Sequence, residues 1–438
     1  MKRPIFMIFM IGLAIRLILA PLLTYGFDMM HWALTIQHIQ AGAGLYGVDG
    51  YWYTPVWGYF LGIWSFVMNL FGVVDYGHVF DEALVLELLP LGHTATVTTI
   101  PFNVMMKLPL IAADIIAGLL IYRIIKEITK DEKKATYGFA LWFLCPLVIF
   151  SSSIQGMFDV VSVMFMLVAV YALMKRQDIL AGSAFAAAVL TKMFPGYLIF
   201  ALIAYLAVNH KGDRETFLRR VGVVSLGAVV MTAIIYIPQI LDGTVMDSLA
   251  FLSARVGTAI AADTSGSTWD AIASSGMSLI LFLQPLIFAA AAFFAYRMYK
   301  NDNIRGDQFF ICLAATMAVV FVWPAVPQYL LVLLPFLIFM AAMFDKRFFI
   351  PFAVISIGAL ILDIAMVNFS MLMSVAAYTN LLDIGTVVSL AEWMDGPLIF
   401  GISKQLALMT IGGAAEVIGP LLALLFIILY EKEARHNV

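Results

Sequence analysis

The stretch TYGFDMMHW, residues 24–32, sets an aspartate directly behind an apolar run long enough to cross a bilayer. A carboxylate where lipid meets water is partly desolvated, and desolvation raises its pKa toward the range useful to a general base. A simpler role for Asp28 is to cap the amphipathic segment DMMHWALTIQHIQ, residues 28–40, because Asp is a preferred N-cap. The two roles are compatible. A second acid, Asp159, lies in SSSIQGMFDVV (151–161), where Gln155 and Gly156 interrupt the apolar pattern. It reads either as a solvated turn carboxylate or as a substrate contact or helper acid. Five basic residues stand apart from the other Lys and Arg: Arg16, Lys107, Lys192, Arg255 and Lys404. An ionised group inside a bilayer costs about 2.5–3.5 kcal/mol on insertion scales, so it needs a partner or a task. One partner is an internal acid such as Asp114, Asp159, Asp363 or Glu416. The other is a phosphate, for which Lys and Arg are the natural ligands.

Other chemistries find no pattern. His31 and His38 share a helix face, but no third ligand has suggestive spacing. Cys145 and Cys312 both sit in apolar runs, which argues against a disulfide framework or a Cys-based metal site. There is no H-E-x-x-H, no P-loop and no Gly-rich nucleotide fingerprint, so hydrolysis of ATP is not expected.

The elements that must position these residues are membrane helices. The 438 residues are 63% hydrophobic and 12% charged, with a mean hydropathy of +0.98. Soluble domains carry about a quarter charged residues. Apolar runs near bilayer length recur throughout, which gives an all-α polytopic membrane protein. The basic start of MKRPIFMIFMIGLAIRLILAPLL precedes an apolar part too long for a signal peptide, so it reads as a retained first span. Spans are expected near 5–25, 101–124, 136–152, 157–174, 179–193, 196–209, 221–240, 276–298, 308–323, 327–344, 348–369 and 406–430. Seven short basic segments hold 20 of the 25 Lys and Arg and all fall on one side of these twelve spans. The excess of positive charge marks that side as cytoplasmic, with both termini there. Residues 55–74 are apolar enough to span, but a span there would move the basic segment 123–134 outside. They read instead as a helix in the interface, with Trp57, Tyr59 and Trp64 at headgroup level. Residues 26–100 then form one large outer loop that contains six acids and no Lys or Arg. Residues 241–275 and 370–405 form two more. No repeat or linker divides the chain, so 1–438 reads as a single membrane domain.

These pieces resemble the GT-C superfamily of integral-membrane glycosyltransferases. FDMMHWALTIQHIQAGAGLYG (27–47), after a span with a midspan arginine, resembles that family's first outer loop. YWYTPVWGYFLGIW (51–64) resembles its YPPL segment, with Thr54 in place of the first proline. KLPLIAADIIAGLLIY (107–122) resembles the start of its second span. LWFLCPLVIFSSSIQGMFDVV (141–161) resembles its NP…GQFD segment, with Cys145 in place of Asn and Met157 inserted. LAGSAFAAAVLTKMFPGYLIF (180–200) and PQYLLVLLPFL (327–337) resemble later motifs. The resemblance is close over residues 10–205 and looser beyond. It implies a hexose, mannose or glucose, carried by a polyprenyl or dolichyl phosphate, and a lipid-linked or glycan acceptor at the extracytoplasmic face. Asp28 would be the general base of an inverting transfer. Lys192 and Arg255 first, with Arg16, Lys107 and Lys404, would supply the phosphate site, and Asp159, Gln155 and Tyr53 further substrate contacts. No cofactor is implied; a metal held by Asp28 and Asp159 is the less favoured variant. Membrane lipids are the implied surroundings and nucleic acid is not an implied partner. The compartment would be the cell membrane of a prokaryote or the ER of a eukaryote. The rival readings are a secondary transporter, although no repeat is present, and a flippase-like lipid-binding protein without transfer.

Overall fold

A computed structural model describes residues 3–46, 51, 53–79, 96–248, 283–301, 307–323, 326–399 and 401–436. These are almost wholly helical. The chain opens with α1 (Arg3–Leu22), α2 (Gly26–Gln40) and α3 (Pro55–Leu70). A two-stranded antiparallel pair, β1 (Gly77–Val79) and β2 (Thr96–Thr98), matches Gly77 to Thr98. Then come α4 (Ile100–Thr129), α5 (Glu132–Phe143), α6 (Pro146–Phe150) with a π-turn at Ser151–Gln155, α7 (Asp159–Met174) and α8 (Asp178–Thr191). A 3-10 turn at Phe194–Leu198 leads into α9 (Ile199–Asn209), followed by α10 (Arg214–Asp242), α11 (Gln284–Lys300) and α12 (Asp307–Val320). The last part holds the 3-10 segment Pro327–Val332, α13 (Leu334–Phe339), α14 (Phe349–Val367), α15 (Met373–Tyr378), α16 (Ile384–Asp395), the short pair β3 (Pro397–Ile399) and β4 (Ile402–Ser403), and α17 (Lys404–His436).

Local chemistry sets the ends of the long helices. Thr99 caps α4, its side chain accepting from the Phe102 amide, and Pro101 follows where a missing N–H costs nothing. Asp213 caps α10 by accepting from the Thr216 amide at 3.0 Å. Gly243, at φ +71°, ends that helix in the left-handed region.

Each of the twelve stretches expected to span contains helix in its described residues, although non-helical residues end or interrupt several of them, as at 23–25, 144–145 and 192–193. Among the described residues, length and composition qualify five helices to cross a membrane, or six if the pair Glu132–Phe143 and Pro146–Gln155, bent by 50°, counts as one. The remaining apolar helices are too short to meet that measure alone, because about 20 residues are needed to cross the hydrocarbon core. The protein is a multi-pass integral membrane protein. One apolar cluster runs from Ile5 to Ile427 and includes Trp32, Phe102, Phe158 and Phe336.

Charged contacts gather the basic segments at one end of the bundle. Lys175 pairs with Glu127, and Lys134 donates to the Met343 carbonyl. Arg297 pairs with Glu431, and Arg347 with Asp345 and Glu433. Arg220 grips Asp178, with His210 at 3.1 Å. At the opposite end, α15, α16 and Val97 of β2 make a small apolar cluster over residues 370–405.

Helix α3 lies outside the qualifying spans. Sixteen residues reach about 24 Å, short of the ~30 Å hydrocarbon core. It packs Trp57, Leu61 and Met68 inward and turns Ile63, Phe66 and Leu70 outward.

Candidate functional site

The acid at the helix mouth is held by backbone geometry rather than by capping. The helix begins at Gly26 with Tyr25 as its N-cap, so Asp28 sits in the first turn and does not cap it. The start comes early because the chain after α1 is tied down on both sides. The Thr24 amide donates to the Met371 carbonyl at 2.8 Å, and the Tyr25 amide to the Ile154 carbonyl at 3.2 Å. A first-turn carboxylate still gains from the positive end of the helix dipole.

The other side of this contact is the π-turn. Gly156 follows it at φ +76°. Its carbonyl accepts from Trp32 Nε1 at 3.1 Å, and a Cβ there would lie 2.4 Å from Met29 Sδ. Only glycine admits both the dihedral and the approach of α2. Gln155, beside it, donates its side-chain amide to the Asp28 carboxylate. Gly156→Ala is expected to destabilise the fold by about 1–2 kcal/mol through the left-handed backbone alone, read as a lower Tm in detergent.

Asp159 and Lys192 meet from two helix ends. Asp159 is the first residue of α7 and fully buried. Lys192 follows the last residue of α8, also buried. Each stands at the end its charge favours. Lys192 Nζ lies 3.3 Å from Asp159 Oδ2. It also sits over three rings, those of Tyr53 at 4.9 Å, Phe158 at 4.8 Å and Tyr329 at 4.7 Å. Such faces attract a cation within about 6 Å.

The electrostatics of Asp28 follow. Burial pushes its pKa up from 3.8 to about 7, against the opposing charge of Lys192; the negative charge of Asp159 adds to the rise and the Gln155 hydrogen bond subtracts from it. A carboxylate titrating near neutrality has the proton affinity of a general base.

An apolar groove of about 580 Å³ opens between α3, α4 and α7. Trp57, Phe60, Trp64, Leu108 and Phe165 line it, and it reaches Thr191, the residue before Lys192. Trp57 stacks on Phe158 at 4.8 Å, so the groove wall is continuous with the rings around the ammonium.

The structure therefore brings together Asp28, Gln155, Asp159, Lys192 and Tyr53. It gives three of the other basic residues different partners. Arg16 lies in a buried ion pair with Asp114, its Nε and Nη2 each 2.6 Å from Oδ2. Its Nη1 donates to the Gly12 and Phe143 carbonyls, and its guanidinium stacks 4.1 Å from the Phe143 ring. Asp114 also accepts from Trp142 Nε1 at 2.8 Å and Ser152 Oγ at 3.2 Å. Lys107 donates to the Ala20 and Leu23 carbonyls and to Thr24 Oγ1, all within 2.8 Å. Those bonds engage all three ammonium hydrogens and satisfy the open end of α1. Lys404 donates to the Trp393 carbonyl at 2.8 Å and lies over that ring. Arg255 falls outside the described residues, as do residues 249–275 of its loop.

Two further residues join the centre. Tyr329 comes from the Pro327–Val332 turn and Asp363 from α14. Asp363 is buried, its Oδ2 has no hydrogen-bond partner among the described residues, and the charges of Asp28 and Asp159 both act on it. Its signal in the sequence is an acid inside an apolar run, GALILDIAMV. That Asp363 faces other acids rather than a lysine needs the fold. Among the described residues, no group of three His, Cys, Asp or Glu is placed to hold a metal ion.

Residues 73–268 match the model of a family described as GPI transamidase subunit PIG-U, which is less than half of the chain. Gln155, Asp159 and Lys192 lie inside that stretch and Asp28 outside it. No curated protein matches the chain.

Proposed function

We propose that the chain is a GT-C-type glycosyltransferase that moves a hexose from a polyprenyl-phosphate carrier to a lipid-linked or glycan acceptor, at the membrane face opposite the cytoplasm. The single observation that carries this reading is the buried cluster of Asp28, Asp159 and Lys192, in which the lysine follows Thr191 at the end of an apolar groove. Asp28 takes the proton of the acceptor hydroxyl. The freed oxygen attacks the anomeric carbon from the face opposite the phosphate. The bond from that carbon to the phosphate oxygen breaks, and the lipid phosphate leaves with its electron pair. Lys192 stabilises the charge that gathers on the departing oxygen, a type of contact worth about 10²–10³ in rate. The carrier chain lies in the groove along Trp57 and Phe165, and no metal takes part. Gln155 fixes the Asp28 carboxylate.

The test is release of polyprenyl phosphate. The purified protein in lipid nanodiscs is incubated with a panel of polyprenyl-phosphate sugars and a glycolipid acceptor. Lys192→Gln is expected to lower kcat by about 10²-fold. No release from any donor by the wild-type protein sinks the transferase reading.

A second reading is favoured by the family match. A GPI transamidase subunit works on a lipid-anchored glycan, and the matched stretch carries the Lys192–Asp159 pair without Asp28. Under that reading the same centre binds a glycolipid without transfer and the chain works within a membrane complex. Glycolipid binding with no phosphate release, unchanged in Asp28→Asn, selects it.

A further inference from the structure

Helix α3 has a second wall. Its residues Trp57, Phe60 and Trp64 face the apolar groove, while Tyr59, Ile63, Phe66 and Asn69 face a cleft on the other side. The two sets are offset on the helix, each spaced by three or four residues. This second cleft, about 1290 Å³, lies between α3, the end of α2 with residues 42–46, and the end of α10 with residues 244 and 247. That exceeds the ~300–1,000 Å³ of ordinary small-molecule pockets. Its lining is mixed. Ile63, Phe66 and Ile234 supply apolar lining, and Gln40, Tyr46, Tyr59 and Gln239 polar lining. Tyr59 donates to Gln239 Oε1, and Gln40 Nε2 donates to Tyr76 Oη at 3.0 Å. The polar lining is thus a set of pre-positioned amides and phenols. Backbone at Gly42 and Gly44 adds to it, and no atom lies within 4 Å of where a Cβ would stand at either.

The charge is one-sided. Asp242 and Asp247 line the cleft, and no Lys, Arg or His does among the described residues that form it. Among the described residues that line the cleft, an anionic head would meet two carboxylates and no cation. The cleft also connects to the centre: Tyr46 Oη donates to the Tyr53 carbonyl at 3.1 Å, and the Tyr53 ring lies under Lys192.

We infer that this cleft binds an uncharged oligosaccharide head on a lipid, with the sugars against Tyr46, Tyr59 and Gln239 and the lipid chain along Ile63 and Ile234. Naming this ligand the acceptor rests on the transferase reading; its binding does not. Helix α3 then separates two lipid ligands. The phosphate-bearing one approaches Lys192 from one side and the neutral glycan from the other. Asp242 and Asp247 set the preference by excluding anionic heads.

The test measures equilibrium binding of two probes to the full chain in nanodiscs, a neutral octyl-linked trisaccharide and the same compound carrying one sulfate. The neutral probe is expected to bind at least about tenfold tighter, the size of one lost hydrogen bond plus like-charge repulsion. Tyr59→Ala should weaken the neutral probe by about tenfold. Asp242→Lys, at an exposed position, should strengthen the sulfated probe and narrow the preference. Equal binding of the two probes, or a preference that Asp242→Lys does not alter, overturns the proposal. Neutral-probe binding without any release of lipid phosphate overturns the transferase reading and leaves this one standing.

Discussion

Asp28→Asn is expected to reduce sugar transfer by about 10²–10⁴-fold, the ordinary worth of a positioned general base, while the protein stays folded. The amide keeps the shape of the side chain and its place beside Gln155, but it has no basic oxygen for the acceptor proton. The wild-type pH profile should carry the same mark. With Asp28 at about 7, transfer rises with pH through neutrality and falls tenfold per unit below it. The stability sign runs the other way. The folded pKa lies above the unfolded 3.8, so the contribution of Asp28 to stability is present below pH 4 and lost as pH rises through about 7. Asp28→Asn should therefore cost no stability at pH 8, and a thermal melt there separates lost chemistry from lost fold. Full transfer by Asp28→Asn would falsify the assignment of the base.

Arg16→Ala is expected to cost about 3–5 kcal/mol of stability, because it strands the Asp114 carboxylate without its counter-charge in a fully buried site. The readout is a lower Tm in detergent. The double variant Arg16→Met with Asp114→Leu should recover most of the loss, since two apolar groups can replace a buried pair at little cost. The comparison decides between the two roles open to a midspan arginine. A structural pair gives a stability defect that the double variant repairs. A phosphate ligand would give lost transfer at unchanged stability, with no repair.

Much of the architecture is legible in the chain. Hydropathy marks the apolar stretches that fold largely as helix, because backbone groups in lipid must be satisfied within the segment and helix is the way a single segment does so, while five or six helices among the described residues qualify as spans by length and composition. Charge placement groups the basic segments, and side-chain contacts such as Lys175–Glu127 and Arg347–Glu433 gather them at one end. The acid-rich first loop with no Lys or Arg between residues 16 and 107 is likewise plain in the sequence. So is the oddity of Arg16, Lys107 and Lys192, because an ion in an apolar run is costly wherever it points.

Where each of those ions points is a matter of tertiary structure. Arg16 and Lys192 look alike along the chain, yet one faces Asp114 and two carbonyls while the other faces three rings and Asp159. The partners lie up to 139 residues away in sequence, and only the helix packing brings them within reach. Asp28 shows the same division. Its type and its place behind the first span mark it in the sequence, and there a capping role explains it well enough. The backbone bonds of Thr24 and Tyr25 start the helix two residues early, and the left-handed Gly156 lets Gln155 close on it. Desolvation and the neighbouring charges that set its proton affinity are properties of distance, and distance between remote residues is what the fold supplies.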